Sequence, residues 1–150
     1  MAEHTIEPLV TAVANSTGGR DGHAETTDRS VSVNLSVPRA MGGKGLPDTT
    51  TPEHLFACGY AACFGGAVDF VATKRKKDAS DARVTCEVSV GPREGGGFGI
   101  AVAMAVDLPN LAQEDAEALV TEAHEQICPY SYATRGNIDI AFTVNGQALG

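Results

Sequence analysis

Two cysteines in segments rich in charged and small residues are the side chains of this chain best suited to chemistry. Residues 18–22, 51–64 and 128–137 contain residue types that exceed what folding needs, and they include Cys63 and Cys128. A thiol reacts as its thiolate, and an unperturbed cysteine with a pKa near ~8.5 is only a few per cent ionised at neutral pH. If Cys63 reacts, it must therefore be activated. The plain alternative is that it packs as a small hydrophobe, because free cysteine is often buried.

Activation of Cys63 would require a positive charge nearby. Burial in an apolar helix raises a thiol pKa unless a cation lies close, and a guanidinium keeps its own charge when buried. Arg20, in the glycine-flanked turn 18–22, is the candidate cation, and Glu53 is the candidate carboxylate that would pair with it and fix its direction. Taken singly, Arg20 also fits a surface turn, and Glu53 also fits a partner of a helix dipole.

Residues 51–70 predict a buried helix around which the rest of the chain is arranged. The stretch is apolar on nearly every face, and its large residues recur every three or four positions while alanines and glycines leave room for close neighbours. The predicted stripe consists of Phe56, Tyr60, Cys63, Ala67 and Phe70. The apolar surroundings of Cys63, which include Phe56, Phe64 and Phe70, would suit an alkyl or lipid substrate better than a small polar one.

A straight helix would separate Glu53 from Cys63. Ten residues of helix span roughly 15 Å along the axis, which is too far for one guanidinium to serve both side chains comfortably. We therefore predict a break near residues 59–62, so that Cys63 lies in the first turn of a new helix.

Alternating apolar residues predict strands on both sides of this helix. They indicate strands at residues 8–14, 24–28, 30–37, 84–90, 98–106 and 138–144, a loop at 38–47, and a hairpin joining the fourth and fifth strands. Asn110 and Gln113 suggest the cap of a second helix that ends at Cys128 and Pro129. Cys86 points with the valines of its strand. The order favours an α+β fold with antiparallel sheet packed against helices.

Length and charge narrow the class of protein. The chain has 150 residues, which predicts a single domain over 1–150, and its net charge of −8 argues against nucleic acid as a partner. No stretch suggests a secretory leader or a membrane span, so we expect a cytoplasmic protein that does not bind membranes. In that compartment the four cysteines do not predict permanent disulfides.

The order and spacing of the three segments resemble the organic hydroperoxide resistance proteins, the Ohr branch of the OsmC superfamily. The resemblance extends from about residue 17 to residue 145 and rests on Gly18-Gly19-Arg20-Asp21-Gly22, Thr51-Pro52-Glu53 with Ala61-Ala62-Cys63-Phe64, and Cys128-Pro129-Tyr130-Ser131 with Ala133-Thr134-Arg135-Gly136-Asn137. It implies an OsmC-like fold in an intertwined homodimer.

The resemblance also implies a function and a site. It implies a cysteine-based peroxidase that reduces organic hydroperoxides to alcohols without a cofactor or metal and is recycled by a lipoyl-type dithiol, either a lipoylated protein or dihydrolipoamide. Cys63 would be the peroxidatic cysteine and Cys128 the resolving cysteine. Arg20 and Glu53 would poise the thiolate.

The chain departs from the family pattern at Cys58, His54 and Tyr132, none of which is a proposed site residue. Three alternatives stay open at this point. One is an OsmC-branch peroxidase with a different peroxide preference, and a second is a metal-binding module that uses His124 and Cys128 at i, i+4 spacing. The third is a non-catalytic binding protein whose cysteines only pack.

Overall fold

The computed structural model describes residues 5–150 and divides the chain into two compact units, Met1–Pro52 and Glu53–Gly150. A single domain over 1–150 stays a prediction. The element order of the second unit contains the predicted helix, hairpin, helix and strand, with a short helix added before that strand and a short strand added after it.

The first unit contains a three-stranded antiparallel sheet in the order β1-β2-β3. Its strands are β1 Ala14–Thr17, β2 His23–Thr26 and β3 Ser32–Asn34. The prediction of a strand at 8–14 is wrong except for its last residue. β2 ends at Thr26, opposite Ala14, so the pairing of β1 with β2 begins at Ala14. Leu9 and Val10 lie outside the sheet and are 97% and 90% exposed. The alternating stretch at 30–37 forms β3 and then an isolated bridge from Leu35 to Thr50.

The turn between β1 and β2 requires its glycines. Gly18 and Gly19 have positive φ angles of 79° and 57°, which L-residues with side chains rarely adopt. A Cβ on Gly22 would lie 1.8 Å from the Thr17 carbonyl oxygen. The turn is a 3₁₀ helix, Gly19–Asp21, and the Asp21 carboxylate accepts a 2.9 Å hydrogen bond from the Val37 amide. These constraints give Arg20 a defined backbone position.

The long helix α1, Pro52–Lys74, is continuous over 23 residues. The predicted break near 59–62 is therefore wrong, because the glycine and alanines there are tolerated within a regular helix. The buried face centres on Tyr60, Phe64 and Val71, and Cys63 lies at its margin. Phe70, which we expected on this stripe, is 57% exposed because helical spacing carries it away from that face.

By length and composition, α1 could cross a membrane, since its most apolar window has a mean hydropathy of 1.6. This corrects the expectation that no stretch reaches the required length. Long core helices of soluble proteins meet the same criterion, so the finding is weak evidence for a membrane span. It is the one such helix among residues 5–150.

The second unit contains a four-stranded sheet in the order β4-β5-β6-β7. Its strands are β4 Arg83–Pro92, β5 Phe98–Asp107, β6 Ile140–Val144 and β7 Gln147–Ala148. The predicted hairpin is confirmed by the antiparallel register of β4 and β5, in which Cys86 pairs with Met104 and its side chain packs against the core. The sheet is not wholly antiparallel, because β5 and β6 pair in parallel. A helical crossover between them makes that direction possible.

The second helical region has three parts: α2 Gln113–Glu122, a π-helical turn Ala123–Ile127, and the short helix α3 Pro129–Thr134. The predicted end at Cys128 and Pro129 is confirmed, but α3 was not expected. Asn110 does not cap α2, because its side-chain amide donates to the carboxylates of Asp78 and Asp81. The Gln113 side chain instead donates to Glu117 and to the Val144 carbonyl.

The core of the second unit forms where α1 and α2 pack on one face of the sheet. Its fully buried large side chains include Tyr60, Phe64, Met104, Leu108 and Leu119. Phe64 contacts Phe142 across the helix–sheet boundary with ring centroids 5.2 Å apart. This packing fixes the orientation of α1 and therefore the direction of Cys63.

Candidate active site

The sulfur atoms of Cys63 and Cys128 lie 3.6 Å apart, although 65 residues separate them in the chain. Both thiols are free; Cys63 is partly exposed, and Cys128 is buried with 1% of its surface accessible. A disulfide needs a sulfur–sulfur distance near ~2.05 Å, so a small movement of either side chain would join them. One sulfur that solvent can reach and one that it cannot are well placed for sequential thiol chemistry.

Cys128 is positioned by the junction between the π-helical turn and α3. Its amide donates to the Ala123 carbonyl at 2.9 Å, and Pro129 begins α3 at the position where proline is favoured. The Cys128 sulfur caps α3 by accepting a 3.4 Å hydrogen bond from the Ser131 amide. Cys128 thus belongs to a defined backbone structure and not to a loose loop.

Some features around Cys63 raise the pKa of its thiol, and one lowers it. Burial raises the pKa of the Cys63 thiol and is the largest influence, while a hydrogen bond from the Tyr130 backbone lowers that pKa. The neighbouring Cys128 raises the pKa further. The net direction is upward, so activation of this sulfur needs a positive charge.

An aromatic cluster borders the two sulfurs. The Phe56, Tyr60 and Tyr130 rings contact one another with centroid separations of 5.9 to 6.2 Å. Gly59 permits this packing, because a Cβ there would lie 3.3 Å from the Tyr130 ring. Of the three phenylalanines that we associated with an apolar substrate, Phe56 contacts this cluster, Phe64 is buried in the core and Phe70 is largely exposed.

A group of buried hydroxyls beside the cysteines was not predicted from the sequence. The Tyr60 phenol oxygen lies 2.7 Å from the Ser131 hydroxyl and 3.4 Å from the Thr134 hydroxyl. The signal that was available is spacing, since Tyr60 precedes Cys63 by three residues and Ser131 follows Cys128 by three.

The other two predicted site residues lie at defined places in the two units. Arg20 is in the 3₁₀ turn of the first unit, and Glu53 is in the first turn of α1. Because α1 is unbroken, Glu53 and Cys63 of one chain are about 15 Å apart along the helix axis. The break that was expected to bring Glu53 and Cys63 to one guanidinium does not occur in α1, and the pairing of Glu53 with Arg20 stays a prediction. The activating role of Arg20 stays a prediction.

The metal alternative has little structural support. Among residues 5–150, no group of three or more histidine, cysteine, aspartate or glutamate side chains is arranged to hold a metal ion. The His124 ring packs edge-on against Phe142 with centroids 4.8 Å apart. The Cys128 sulfur is directed at Cys63 instead.

Residues 43–143 match the model of the family described as OsmC-like protein. The chain is 46% identical over 137 residues to the organic hydroperoxide resistance protein of Xanthomonas axonopodis pv. citri, covering 91% of this chain and 94% of that protein. It is 44% identical over 133 residues to the organic hydroperoxide resistance protein OhrB of Bacillus subtilis, covering 88% and 95%.

Solved structures agree with these sequence matches. A crystal structure of a putative organic hydroperoxide resistance protein from Vibrio cholerae, with captopril bound in one of its active sites, superposes with a TM-score of 0.91. It shares 44% identity and covers 99% of this chain and 100% of its own. The α+β architecture of that protein is thus shared along almost the whole chain.

Proposed function

Because the chain belongs to the OsmC/Ohr family and has the OsmC-like α+β fold, we propose that it is a thiol peroxidase that reduces organic hydroperoxides to alcohols. Relatives of 44–46% identity are named for organic hydroperoxide resistance, which implies peroxide detoxification and a role in the oxidative stress response. The single observation that best supports the thiol mechanism is the 3.6 Å separation of the Cys63 and Cys128 sulfurs.

The first step assigns Cys63 as the nucleophile. Its thiolate attacks the outer oxygen of the hydroperoxide, the O–O bond breaks, and the alkoxide takes a proton and leaves as the alcohol. The sulfur is oxidised to sulfenic acid while the peroxide is reduced by two electrons. Partial exposure of Cys63 supports this assignment, because the attacking sulfur must be reached by substrate.

The second step assigns Cys128 as the resolving cysteine. Its sulfur attacks the sulfenic sulfur of Cys63, the S–S bond forms, and the hydroxyl group leaves with the Cys128 proton as water. Burial supports this order of events, since a sulfur with 1% exposure is protected from direct oxidation but remains beside its partner.

Recycling requires an external dithiol. A lipoyl-type dithiol, carried by a lipoylated protein or supplied as dihydrolipoamide, would exchange with the Cys63–Cys128 disulfide and leave as a cyclic disulfide. This exchange returns both cysteines to the thiol state. No cofactor or metal takes part in this scheme.

Arg20 is proposed to lower the Cys63 pKa, and Glu53 to hold the Arg20 guanidinium by an ion pair. The need for a cation is supported by burial, which raises the pKa of the Cys63 thiol. This is the role predicted from the sequence, and it now has to hold without the helix break that was expected to bring Glu53 closer to Cys63.

We further propose that the protein is a homodimer in the cytoplasm that binds neither nucleic acid nor membranes. The dimer is supported by a face of α1 that the chain leaves exposed, formed by Cys58, Ala62, Gly66 and Phe70 at four-residue spacing. The net charge of −8 weighs against a phosphate-backbone partner.

Stopped-flow oxidation of the reduced protein by cumene hydroperoxide tests the proposal. We expect fast oxidation of Cys63, much slower oxidation by hydrogen peroxide, and a Cys63–Cys128 disulfide as the product. Faster reaction with hydrogen peroxide would favour an OsmC-branch peroxidase. Consumption of both peroxides no faster than in buffer would indicate a non-catalytic protein.

A further inference from the structure

Each of the two helical elements that carry a site cysteine also carries a buried hydroxyl one turn away from it. Tyr60 lies three residues before Cys63 on α1, and Ser131 lies three residues after Cys128 in α3. Both side chains are fully buried, at 0% exposure, and their oxygens are 2.7 Å apart. Buried polar groups destabilise a fold when they lack a hydrogen-bond partner. The contact between these two hydroxyls therefore stabilises the packing of α1 against α3.

We propose that Tyr60 and Ser131 are positioning residues that hold Cys128 against Cys63 and so speed disulfide formation after Cys63 is oxidised. The inference rests on the proposed peroxidase function and adds a role that it does not contain. We call the three hydroxyl residues Tyr60, Ser131 and Thr134 the hydroxyl clamp.

The geometry links the clamp to the resolving sulfur through a short path. Residues three apart on a helix lie on neighbouring turns of the same side, so the Tyr60–Ser131 contact and the Cys63–Cys128 contact cross the same boundary between α1 and α3. The Ser131 amide then donates to the Cys128 sulfur at 3.4 Å. A change at the Tyr60 hydroxyl is thus transmitted to Cys128 through one residue.

Thr134 completes the clamp. Its hydroxyl donates to the Tyr130 carbonyl at 2.8 Å and lies 3.4 Å from the Tyr60 phenol oxygen, which ties the end of α3 to the same phenol. Burial raises the pKa of Tyr60 above its ordinary value of 10.0, so its phenol is neutral at neutral pH. The clamp therefore acts by hydrogen bonding and position and not by proton transfer.

Position matters at the second step because two reactions compete for the sulfenic acid. Cys128 can displace its hydroxyl as water, or a second hydroperoxide can oxidise it to sulfinic acid with release of another alcohol. The sulfurs must close from 3.6 Å to near ~2.05 Å for the first outcome. A clamp that limits the drift of Cys128 favours the disulfide over irreversible oxidation.

The test separates the two steps in the reduced full-length protein. Tyr60→Phe and Ser131→Ala each remove one clamp hydroxyl, and Tyr132→Phe, on the 52% exposed tyrosine of α3, is the matched control. Cumene hydroperoxide at one equivalent gives the rate of peroxide loss, and acid quenching with thiol alkylation and mass spectrometry gives the rate of disulfide formation. Excess peroxide then gives the fraction of Cys63 as sulfinic acid.

We expect peroxide loss to be unchanged in both clamp variants and disulfide formation to slow by about fivefold to tenfold, as loss of one buried hydrogen bond would produce. Sulfinic acid should rise in the clamp variants and not in Tyr132→Phe. Equal slowing of both steps would assign the hydroxyls to general stability and overturn the proposal, as would disulfide formation at the parent rate.

A second oxidant separates failure of the clamp from failure of the peroxidase. Diamide joins two neighbouring thiols by adding to one sulfur and leaving as the hydrazine when the second sulfur attacks, so it forms the disulfide without peroxide. We expect the clamp variants to be slower than the parent with diamide as well. If the clamp variants form the disulfide with diamide as fast as the parent does, the clamp proposal is overturned. If they form it more slowly with diamide but neither they nor the parent react with hydroperoxide, only the proposed function is overturned.

Discussion

The Cys63 sulfur lies at the margin of the buried face of α1, and the Cys128 sulfur lies behind it at 3.6 Å, at the N-terminus of α3. Cys63 is partly exposed, whereas Cys128 is buried with 1% of its surface accessible. This arrangement orders the chemistry, because the first oxidation should fall on Cys63.

Replacing each cysteine separately should divide the reaction into its two steps. Cys63→Ser should abolish turnover, whereas Cys128→Ser should retain the rapid first oxidation and accumulate sulfenic acid without an intramolecular disulfide. Stopped-flow kinetics and mass spectrometry of the trapped sulfur measure both. Cys58→Ser, which replaces a thiol on the proposed dimer face and outside the cysteine pair, is the control and should retain both the first oxidation and the disulfide. Loss of the first oxidation in Cys128→Ser would contradict this division of roles.

Arg20→Ala should move the pH dependence of the first step to higher pH. Burial raises the pKa of the Cys63 thiol, so removing a cation that offsets this effect leaves a smaller thiolate fraction at neutral pH. Each unit of pKa increase reduces that fraction by about tenfold while the pH is below the pKa. The measurement is the rate of oxidation as a function of pH, together with the ultraviolet absorbance of the thiolate.

Arg20→Lys distinguishes charge from geometry in the same experiment. A lysine keeps the positive charge but not the planar fork of donors, so we expect an intermediate pKa. If the Cys63 titration is the same in the parent and in Arg20→Ala, Arg20 does not belong to the site.

Much of the secondary structure of the second unit was predicted from local sequence patterns, because the spacing of apolar residues indicates which side chains are buried. Alternation across β4 and β5 predicted the hairpin, and the proline after Cys128 predicted where α2 and its π-helical turn end. The parallel pairing of β5 with β6 could not be predicted in the same way, since alternation reveals which face is buried and not which strand lies alongside.

Other errors arose where long-range contacts override local preference. Asn110 has the character of a helix cap, but Asp78 and Asp81 offer carboxylate acceptors from a distant part of the chain. The distance between Glu53 and Cys63 suggested a break in α1 near residues 59–62, whereas the helix is continuous there and Gly59 admits the Tyr130 ring. The pairing of Cys63 with Cys128 came from the family resemblance, because spacing of 65 residues carries no contact information by itself.

Glu53→Gln should act on Cys63 only through Arg20. We expect the Cys63 pKa to rise, by less than in Arg20→Ala, and the double variant to titrate like Arg20→Ala alone. The control is Glu114→Gln, which removes an exposed acidic residue from the first turn of α2. If Glu53 interacts only with the helix dipole, Glu53→Gln should lower the free energy of unfolding by about 0.3–1 kcal/mol, as Glu114→Gln does. The Cys63 titration should then be unchanged.

Phe70→Glu should dissociate the proposed dimer. Phe70 is 57% exposed on the face of α1 that the chain leaves uncovered, and a buried unpaired charge at an interface is strongly unfavourable. Light scattering after size-exclusion chromatography should give about twice the chain mass for the parent and one chain mass for the variant. Phe98→Glu, at a 69% exposed phenylalanine in β5, should stay dimeric. A monomeric parent would refute the dimer.

His124 should make the stability of the protein depend on pH in a predictable direction. Burial, with the nearby Arg135 charge, holds the pKa of His124 below its ordinary value of 6.5, and the ring Nδ1 is buried with no hydrogen-bond partner among the described residues. The unfolded chain therefore binds more protons than the folded one between the folded pKa and about 6.5. Above that pH range, His124 should not change the free energy of unfolding. As the pH is lowered through the range, the free energy of unfolding should fall. Urea unfolding at pH 7.5 and 5.5 measures the effect, and His124→Gln should reduce the difference. An imidazole resonance of His124 that titrates at or above 6.5 would contradict the assignment.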